Sequence, residues 1–341
     1  MLVERTLASN KQINQISLEK IAVVIPAYKC SEQIGSVIHS IPSFVDIIIV
    51  VDDASPDNLH DKVIKINDTR ITYIRHPENK GVGGTMLTGY QKAVELGATI
   101  LIKMDGDGQM DSNYIPTLIL PILEGRADYT KGNRFLHRRS LVQMPKMRMI
   151  GNIGLTFLTK LASGYWNIFD PNNGFTAVHY QTLSLINPAN IHHRYFFESS
   201  LLVELNRLRA VVIDIPMPAR YADEESSLSV FRSFFEFPYN LLKSLVKRIV
   251  RQYFLYDFTM TSLFLICGTA FTMFGTLWGI YHWYVSITQG IIATTGTVMI
   301  AVLPIILGIQ LLLQAIVLDI GNNPTKPLQQ QDNLERYFPR N

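Results

Sequence analysis

Asp105-Gly106-Asp107-Gly108-Gln109 places two carboxylates one residue apart on a glycine-rich turn, directly after the apolar run 99–104. Mg²⁺ and Mn²⁺ prefer oxygen ligands, bind through one or two carboxylates and fill the remaining positions with water and phosphate oxygens. An Asp-x-Asp turn at a strand end therefore suits the diphosphate of a nucleotide. Asp and Gly are also ordinary turn residues, so this turn gains chemical meaning only from the elements around it.

Those elements alternate. Residues 21–25, 47–51, 71–74 and 99–104 are short runs rich in β-branched side chains, and 31–41, 59–66 and 84–96 carry helical spacing between them. This is the βαβ rhythm of a mostly parallel sheet. Ligands of such sheets lie beyond the carboxyl ends of the strands, where Pro26, Asp52, Asp53 and Asp105 all fall. Asn79 to Gly84 superficially resembles a dinucleotide fingerprint, but Met86 stands at the third glycine position and the segment follows a later strand, so an NAD site is rejected. Glycines before a helix can still bring backbone amides to a diphosphate or permit close packing of that helix, and the sequence leaves both open.

Composition adds a membrane. The chain has 341 residues, 48% hydrophobic and only 17% charged, and the apolar excess is concentrated in 258–281 and 291–320. Each run reaches the roughly 20 residues a helix needs to cross a bilayer core, and no Lys or Arg occurs between Gln252 and Thr325. Lys243, Lys247, Arg248 and Arg251 precede the first run, Lys326 follows the second, and the connection around 282–290 has none, which puts both termini and the N-terminal part in the cytoplasm. Trp278, Tyr281, Trp283 and Tyr284 would lie at the outer headgroup level. Residues 1–20 are polar and mixed in charge, without a secretory-signal pattern. Cys30 and Cys267, one in each part, are not expected to pair, and a net charge of +3 points to no nucleic-acid partner. Between the two parts, 230–254 has apolar residues at helical spacing with Lys243, Lys247 and Arg251 on another face, the pattern of an interfacial helix, expected to break near Pro238.

The segments Val23 to Tyr28, Val51 to Ser55, Asn79-Lys80-Gly81 and Asp105 to Gln109 stand in the order and spacing of family 2 glycosyltransferases with the GT-A fold. Gly132 to Phe135, Asp170 to Phe175 and two C-terminal spans narrow the resemblance to the polyprenyl-phosphate glycosyltransferases, a group that includes dolichyl-phosphate mannose synthases and bactoprenol glucosyltransferases. The resemblance covers roughly 21–320. It implies an N-terminal segment 1–20, an α/β GT-A catalytic domain 21–227 with a Rossmann-like, mostly parallel sheet, amphipathic juxtamembrane helices 228–256, two transmembrane helices 257–320 and a tail 321–341, expected to be polar and mobile.

The resemblance also implies roles. Pro26, Ala27, Tyr28, Asp53, Lys80, Gly81 and Asp105 would form the nucleotide side, with Asp53 bonding the base. Asp105, Asp107 and Gln109 would ligate Mg²⁺ or Mn²⁺. Arg134, Arg148 and Asn152 would hold the acceptor phosphate, and Asp105, Asp107, Arg134 and Arg148 together would be catalytic. Asp170, Glu198, Arg220 and Ser227 would border the sugar or diphosphate, with Arg232 as a substitute for an absent lysine and a structural ion pair as the alternative role of Glu198. Lys131, Arg138, Arg139 and Lys146 fit a membrane-facing surface instead. Cys30 stands where many relatives have Glu, which separates this chain from their ribose contact.

The implied activity is metal-dependent, inverting transfer of a hexose from a UDP-sugar, glucose favoured, to undecaprenyl or another polyprenyl phosphate for cell-envelope glycans such as the lipopolysaccharide O-antigen. N-acetylhexosamine, galactose, aminoarabinose and GDP-mannose are alternative donors. The implied setting is the bacterial inner membrane, as a homo-oligomer, a tetramer by resemblance. A processive polysaccharide synthase is disfavoured because no Gln-x-x-Arg-Trp segment occurs. A non-catalytic nucleotide-binding membrane scaffold is the alternative of another class.

Overall fold

The computed structural model describes residues 19–135, 146–171, 173–218 and 230–330. They divide into two compact units, Met1–Leu245 with Pro324–Asn341, and Val246–Asn323.

The first unit is built on a seven-stranded sheet of order β3-β2-β1-β4-β6-β5-β7. The strands are β1 (Ile21–Ala27), β2 (Ile47–Asp52), β3 (Ile71–Arg75), β4 (Ile100–Lys103), β5 (Tyr129–Asn133), β6 (Thr176–His179) and β7 (Val212–Pro216). The helices between them are α1 (Ile34–Ser40), α2 (Leu59–Ile64), α3 (Gly81–Glu95), α4 (Ile115–Leu123), α5 (Lys146–Ser163), α6 (Tyr180–Ser184) and α7 (Phe197–Arg207). β1, β2, β3 and β4 are parallel, β6 is antiparallel to both β4 and β5, and β5 and β7 are parallel. Two antiparallel steps restore direction, so β5 runs with β4 and their carboxyl ends share one edge.

Continuous β-branched runs in β1 and β2 are buried throughout, as expected for strands covered on both faces. Alternate residues feed two cores. Val23, Ile25, Ile48, Val50, Ile100 and Ile102 pack with α1 and α4 on one side, while Val24, Ile49, Val51 and Leu101 pack with Met86 and Tyr90 of α3 and Leu201 and Leu205 of α7 on the other.

The chain returns to this unit at its C-terminal end. The buried Asp128 carboxylate accepts hydrogen bonds from the Val211 amide at 2.7 Å, the Leu328 amide at 3.0 Å and the Gln329 amide at 3.2 Å. The Gln329 side chain donates to the carbonyls of Ile122 and Ala127. The expected mobile tail is thus corrected for 328–330: a buried carboxylate takes amides that would otherwise need water. Removing an acceptor that serves several buried donors costs about 1–3 kcal/mol, so Asp128→Ala should lower the unfolding stability of the purified protein by that amount, read by denaturant titration in detergent. Unchanged stability would contradict the clip.

α8 (Val230–Val250) passes through Pro238 without ending, and a π-helical turn at Arg251–Tyr256 follows it. The break expected near Pro238 is therefore corrected. Proline removes one intrahelical bond, but Phe237, Leu241 and Leu245 pack against Leu155, Ala162 and Phe196 and hold the helix on both sides of it. A second apolar row, Tyr239, Leu242, Val246 and Val250, is exposed.

In the second unit, α9 (Met260–Gln289) and α10 (Thr295–Gly321) are long and apolar enough to cross a membrane. α9 continues to Gln289, past the expected end, because nothing from His282 onward breaks a helix until Gly290, whose φ of +66° caps it. The hairpin is close-packed: a Cβ on Gly308 would lie 2.3 Å from Thr272 Oγ1. Its open end is pinned by Asp319, which accepts from Arg248 Nη1 at 2.7 Å, Arg248 Nη2 at 3.0 Å and the Tyr253 hydroxyl.

Candidate active site

β1, β2, β4 and β5 deliver Tyr28, Asp52–Asp53, Asp105 and Arg134 to one edge of the sheet, and β6, running the other way, begins there after Asp170 to Phe175. The topology thus gathers these sequence-derived candidates. Arg220 and Ser227 lie outside the described residues, as do Arg138, Arg139 and Asn172, and the side chains of Lys146, Arg148, Asn152 and Arg232.

At the end of β4, Gly108 has φ +77°, a conformation that favours glycine. The turn closes on itself as Asp107 Oδ1 accepts from the Gln109 amide at 2.9 Å. Lys103, two residues before Asp105, is buried within the sheet and donates from Nζ to Asp105 Oδ1 at 2.7 Å. The same ammonium lies 3.3 Å from Glu198 Oε1 in the first turn of α7. Burial opposes charge on Lys103, but Asp105 and Glu198 outweigh it and hold its pKa above the ordinary lysine value. Glu198 is therefore placed in an ion pair, one of its two expected roles.

Lys103 belongs to a row that crosses four strands. In register it faces Thr176 of β6, Thr176 faces Lys131 of β5, and Lys131 faces Asp214 of β7. The surface role expected of Lys131 is corrected, since it is fully buried and donates from Nζ to the Asn173 carbonyl. Burial pushes its pKa down to about 8, against the opposing pull of Asp170, Glu198 and Asp214. An unfolded lysine titrates near 10.4, so between about pH 8 and 10 the unfolded chain holds a proton that the native state has lost. Stability attributable to Lys131 must then rise with pH across that window. In thermal unfolding, Lys131→Met should gain on the wild type at neutral pH and lose that advantage toward pH 10, whereas parallel pH profiles would refute the assignment.

Beside this row, Arg134 grips the buried Asp170 through Nε at 2.8 Å and Nη2 at 3.0 Å. The Arg134 side chain is 39% exposed, so the guanidinium is held by Asp170 while part of it meets solvent. Asp170 thus serves Arg134 directly. Gly174, in the same segment, backs the carboxylate turn: a Cβ there would lie 2.3 Å from Lys103 Nζ and 2.8 Å from Asp105 Oδ2. Phe135 and Phe169 meet edge to face, Lys160 sits 5.2 Å over the Phe169 ring, and Phe157 and Trp166 continue an aromatic lip in which Phe157 and Phe169 are exposed.

On the other flank, Tyr28 is exposed at the end of β1. Asp53 is buried and its carboxylate is engaged by His76 Nδ1, the Lys80 amide and the Gly81 amide, each at 2.8 Å. Gly83 and Gly84 donate to the His193 carbonyl. The amides of Gly81, Gly83 and Gly84 at the start of α3 are thus engaged within the protein, an arrangement that serves close packing of the helix. Cys30 is buried below the Asp105 turn, its thiol pushed up to about 12 chiefly by burial, so it carries no charge in the place of the familiar Glu.

The residues fit a hard divalent cation. The carboxylates of Asp105 and Asp107 and the side-chain carbonyl of Gln109 offer oxygen, the ligand class such ions select. Lys103, Lys131, Asp214 and His76 were not singled out as site residues from sequence. Lys103 had a signal, a lysine inside an otherwise apolar strand immediately before the acidic turn.

The sequence profile described as Glycosyl transferase family 2 matches residues 22–184. A UDP-N-acetylglucosamine–dolichyl-phosphate N-acetylglucosaminyltransferase of Methanococcus voltae is 31% identical over 219 residues, covering 60% of this chain and 86% of the relative. An undecaprenyl-phosphate mannosyltransferase of Micrococcus luteus is 24% identical over 205 residues, covering 58% and 82%. Among solved structures, a glucosyl-3-phosphoglycerate synthase from Mycobacterium tuberculosis, in complex with Mn²⁺, UDP and glucosyl-3-phosphoglycerate, superposes with a TM-score of 0.52 at 19% identity, covering 70% of this chain and 83% of that one. That likeness establishes the GT-A sheet.

Proposed function

This chain belongs to glycosyl transferase family 2, and we propose that it transfers one sugar from a nucleotide-diphosphate donor to a polyprenyl phosphate at a membrane surface. The observation that carries the reading is the sharing of one sheet edge by the Asp105–Asp107 turn and the Arg134–Asp170 pair. One supplies anionic oxygens that would hold a divalent cation for a departing diphosphate, and the other supplies an oriented cation for an arriving phosphate.

Asp105, Asp107 and Gln109 would hold Mg²⁺ or Mn²⁺, which when bound stabilises the negative charge of the leaving nucleotide. The Mn²⁺ and UDP in the M. tuberculosis structure support this choice. Arg134, braced by Asp170, presents forked donors to the acceptor phosphate, with Arg148 and Asn152 assigned to the same task. A phosphate monoester has a second pKa of roughly 6 and is largely dianionic at neutral pH, so the chain has to position the acceptor rather than deprotonate it. Attack from the face opposite the diphosphate inverts the anomeric centre. Tyr28 forms the wall of the base pocket, and Asp53 shapes that pocket through His76 and the start of α3. The aromatic lip around Phe157 and Phe169, and the exposed row Tyr239, Leu242, Val246 and Val250 of α8, suit an apolar chain at headgroup level. Two membrane spans with cytoplasmic termini would tether the chain to the membrane that holds its lipid substrate.

The donor we assign is a UDP-sugar. UDP-N-acetylglucosamine is first, because the M. voltae relative is named for it, and UDP-glucose, favoured by the motif resemblance, is second. Purified protein given undecaprenyl phosphate, Mn²⁺ and a panel of labelled UDP- and GDP-sugars should move label into a lipid extract from one of these two donors. Label transferred only from GDP-mannose would overturn the donor assignment, and no lipid-extractable label from any donor would overturn the function.

A further inference from the structure

Lys103 is a buried ammonium that touches a proposed metal ligand, and none of the roles above uses it. It is bound on two sides. Asp105 Oδ1 lies 2.7 Å from Nζ and Glu198 Oε1 lies 3.3 Å away on the opposite element, α7. Gly174 has no Cβ at the point where one would strike both Nζ and Asp105 Oδ2, so the strand, the turn and the loop are fitted around this contact. Tyr90 of α3 is buried against the same ion cluster, and its hydroxyl makes no hydrogen bond of normal geometry among the described residues.

We infer that Lys103 is a positioning residue that occupies Asp105 in place of the divalent cation, so that the cation binds tightly only together with the donor diphosphate. The inference rests on the assignment of Asp105 and Asp107 as cation ligands. A monovalent ammonium on Asp105 opposes a second cation by direct repulsion and by holding one of its ligand oxygens. The diphosphate brings enough negative charge to reverse that balance. Lys103 then has somewhere to go, because Glu198 already faces it and the Tyr90 oxygen can accept a hydrogen bond, so its charge is not stranded when Asp105 turns to the cation. The arrangement would keep the site from holding a cation without substrate and couple metal entry to nucleotide entry.

The test is direct Mn²⁺ binding to the full-length protein in detergent, read by loss of the free-ion electron paramagnetic resonance signal, with and without saturating UDP. The wild type should bind Mn²⁺ at least about tenfold more tightly with UDP than without. Lys103→Met should raise the UDP-free affinity about tenfold and shrink the effect of UDP. Glu198→Gln, which leaves Lys103 to Asp105 alone, should lower the UDP-free affinity more than the UDP-bound one. This second variant decides the matter if Lys103→Met fails to fold. UDP-free affinity that is unchanged or weaker in Lys103→Met, or a Glu198→Gln loss that is equal with and without UDP, overturns the inference. If the wild type binds no Mn²⁺ even with UDP, the cation-ligand assignment itself fails, an outcome distinct from binding that is present but indifferent to Lys103.

Discussion

Asp107→Ala should reduce sugar transfer about a thousandfold or more while leaving the protein folded. The expectation follows from where the charge goes. Breaking the anomeric bond leaves a nucleoside diphosphate with developing negative charge, and removing one preorganised electrostatic contributor to such a transition state costs on the order of 10²–10³ in rate. Loss of a carboxylate ligand also weakens the hold on the cation itself. Asp107 is the better probe than Asp105, because the Asp105–Lys103–Glu198 bridge remains intact when Asp107 is shortened. The hydrogen bond that Asp107 accepts from the Gln109 amide is local to the turn. Label transfer to lipid and thermal unfolding should be measured together. Retention of more than about a tenth of the activity would remove the metal turn from the mechanism.

The largest structural effect is expected from the hairpin's open end. Asp319 and Arg248 form a buried, two-pronged ion pair, and the Tyr253 hydroxyl donates to the same carboxylate. Breaking one side of a buried pair strands the other charge and costs about 3–5 kcal/mol. Arg248→Ala and Asp319→Ala should each destabilise the second unit by that order, read as earlier unfolding in a denaturing-detergent titration. The double substitution should be milder than the sum of the two, because no charge is left alone. Strict additivity would show that the pair contributes no coupling.

The sequence showed the sheet more clearly than the site. Runs such as Ile47 to Val51 are apolar at every position and bounded by turn residues, so β1, β2 and β3 were legible from periodicity and composition, as was the metal-type turn from its two carboxylates. α9 and α10 were legible from length and the absence of charge. What could not be seen depends on pairing between distant strands. Thr176, Lys131 and Asp214 meet Lys103 only because β6 inserts antiparallel between β4 and β5, and no local pattern marks that insertion. Lys131 consequently looked like a surface cation when it is a buried one. Asp53 was legible as a strand-end carboxylate beside the nucleotide edge, but its partners His76, Lys80 and Gly81, more than 20 residues on, were not. Pro238 looked like a helix end because local rules cannot weigh the packing of Phe237 and Leu241 that carries α8 through it.

The central claim is a division of labour in which the Asp105–Asp107 turn serves the leaving nucleotide and an acceptor that is already anionic is positioned by arginine. The most direct measurement compares transfer of label from the UDP-sugar to undecaprenyl phosphate and to undecaprenol under identical conditions with Mn²⁺. The account predicts a single-sugar, lipid-extractable phosphodiester from the phosphate and no product from the alcohol. Equal transfer to undecaprenol would contradict it, because an alcohol must be deprotonated and offers Arg134 no phosphate to hold.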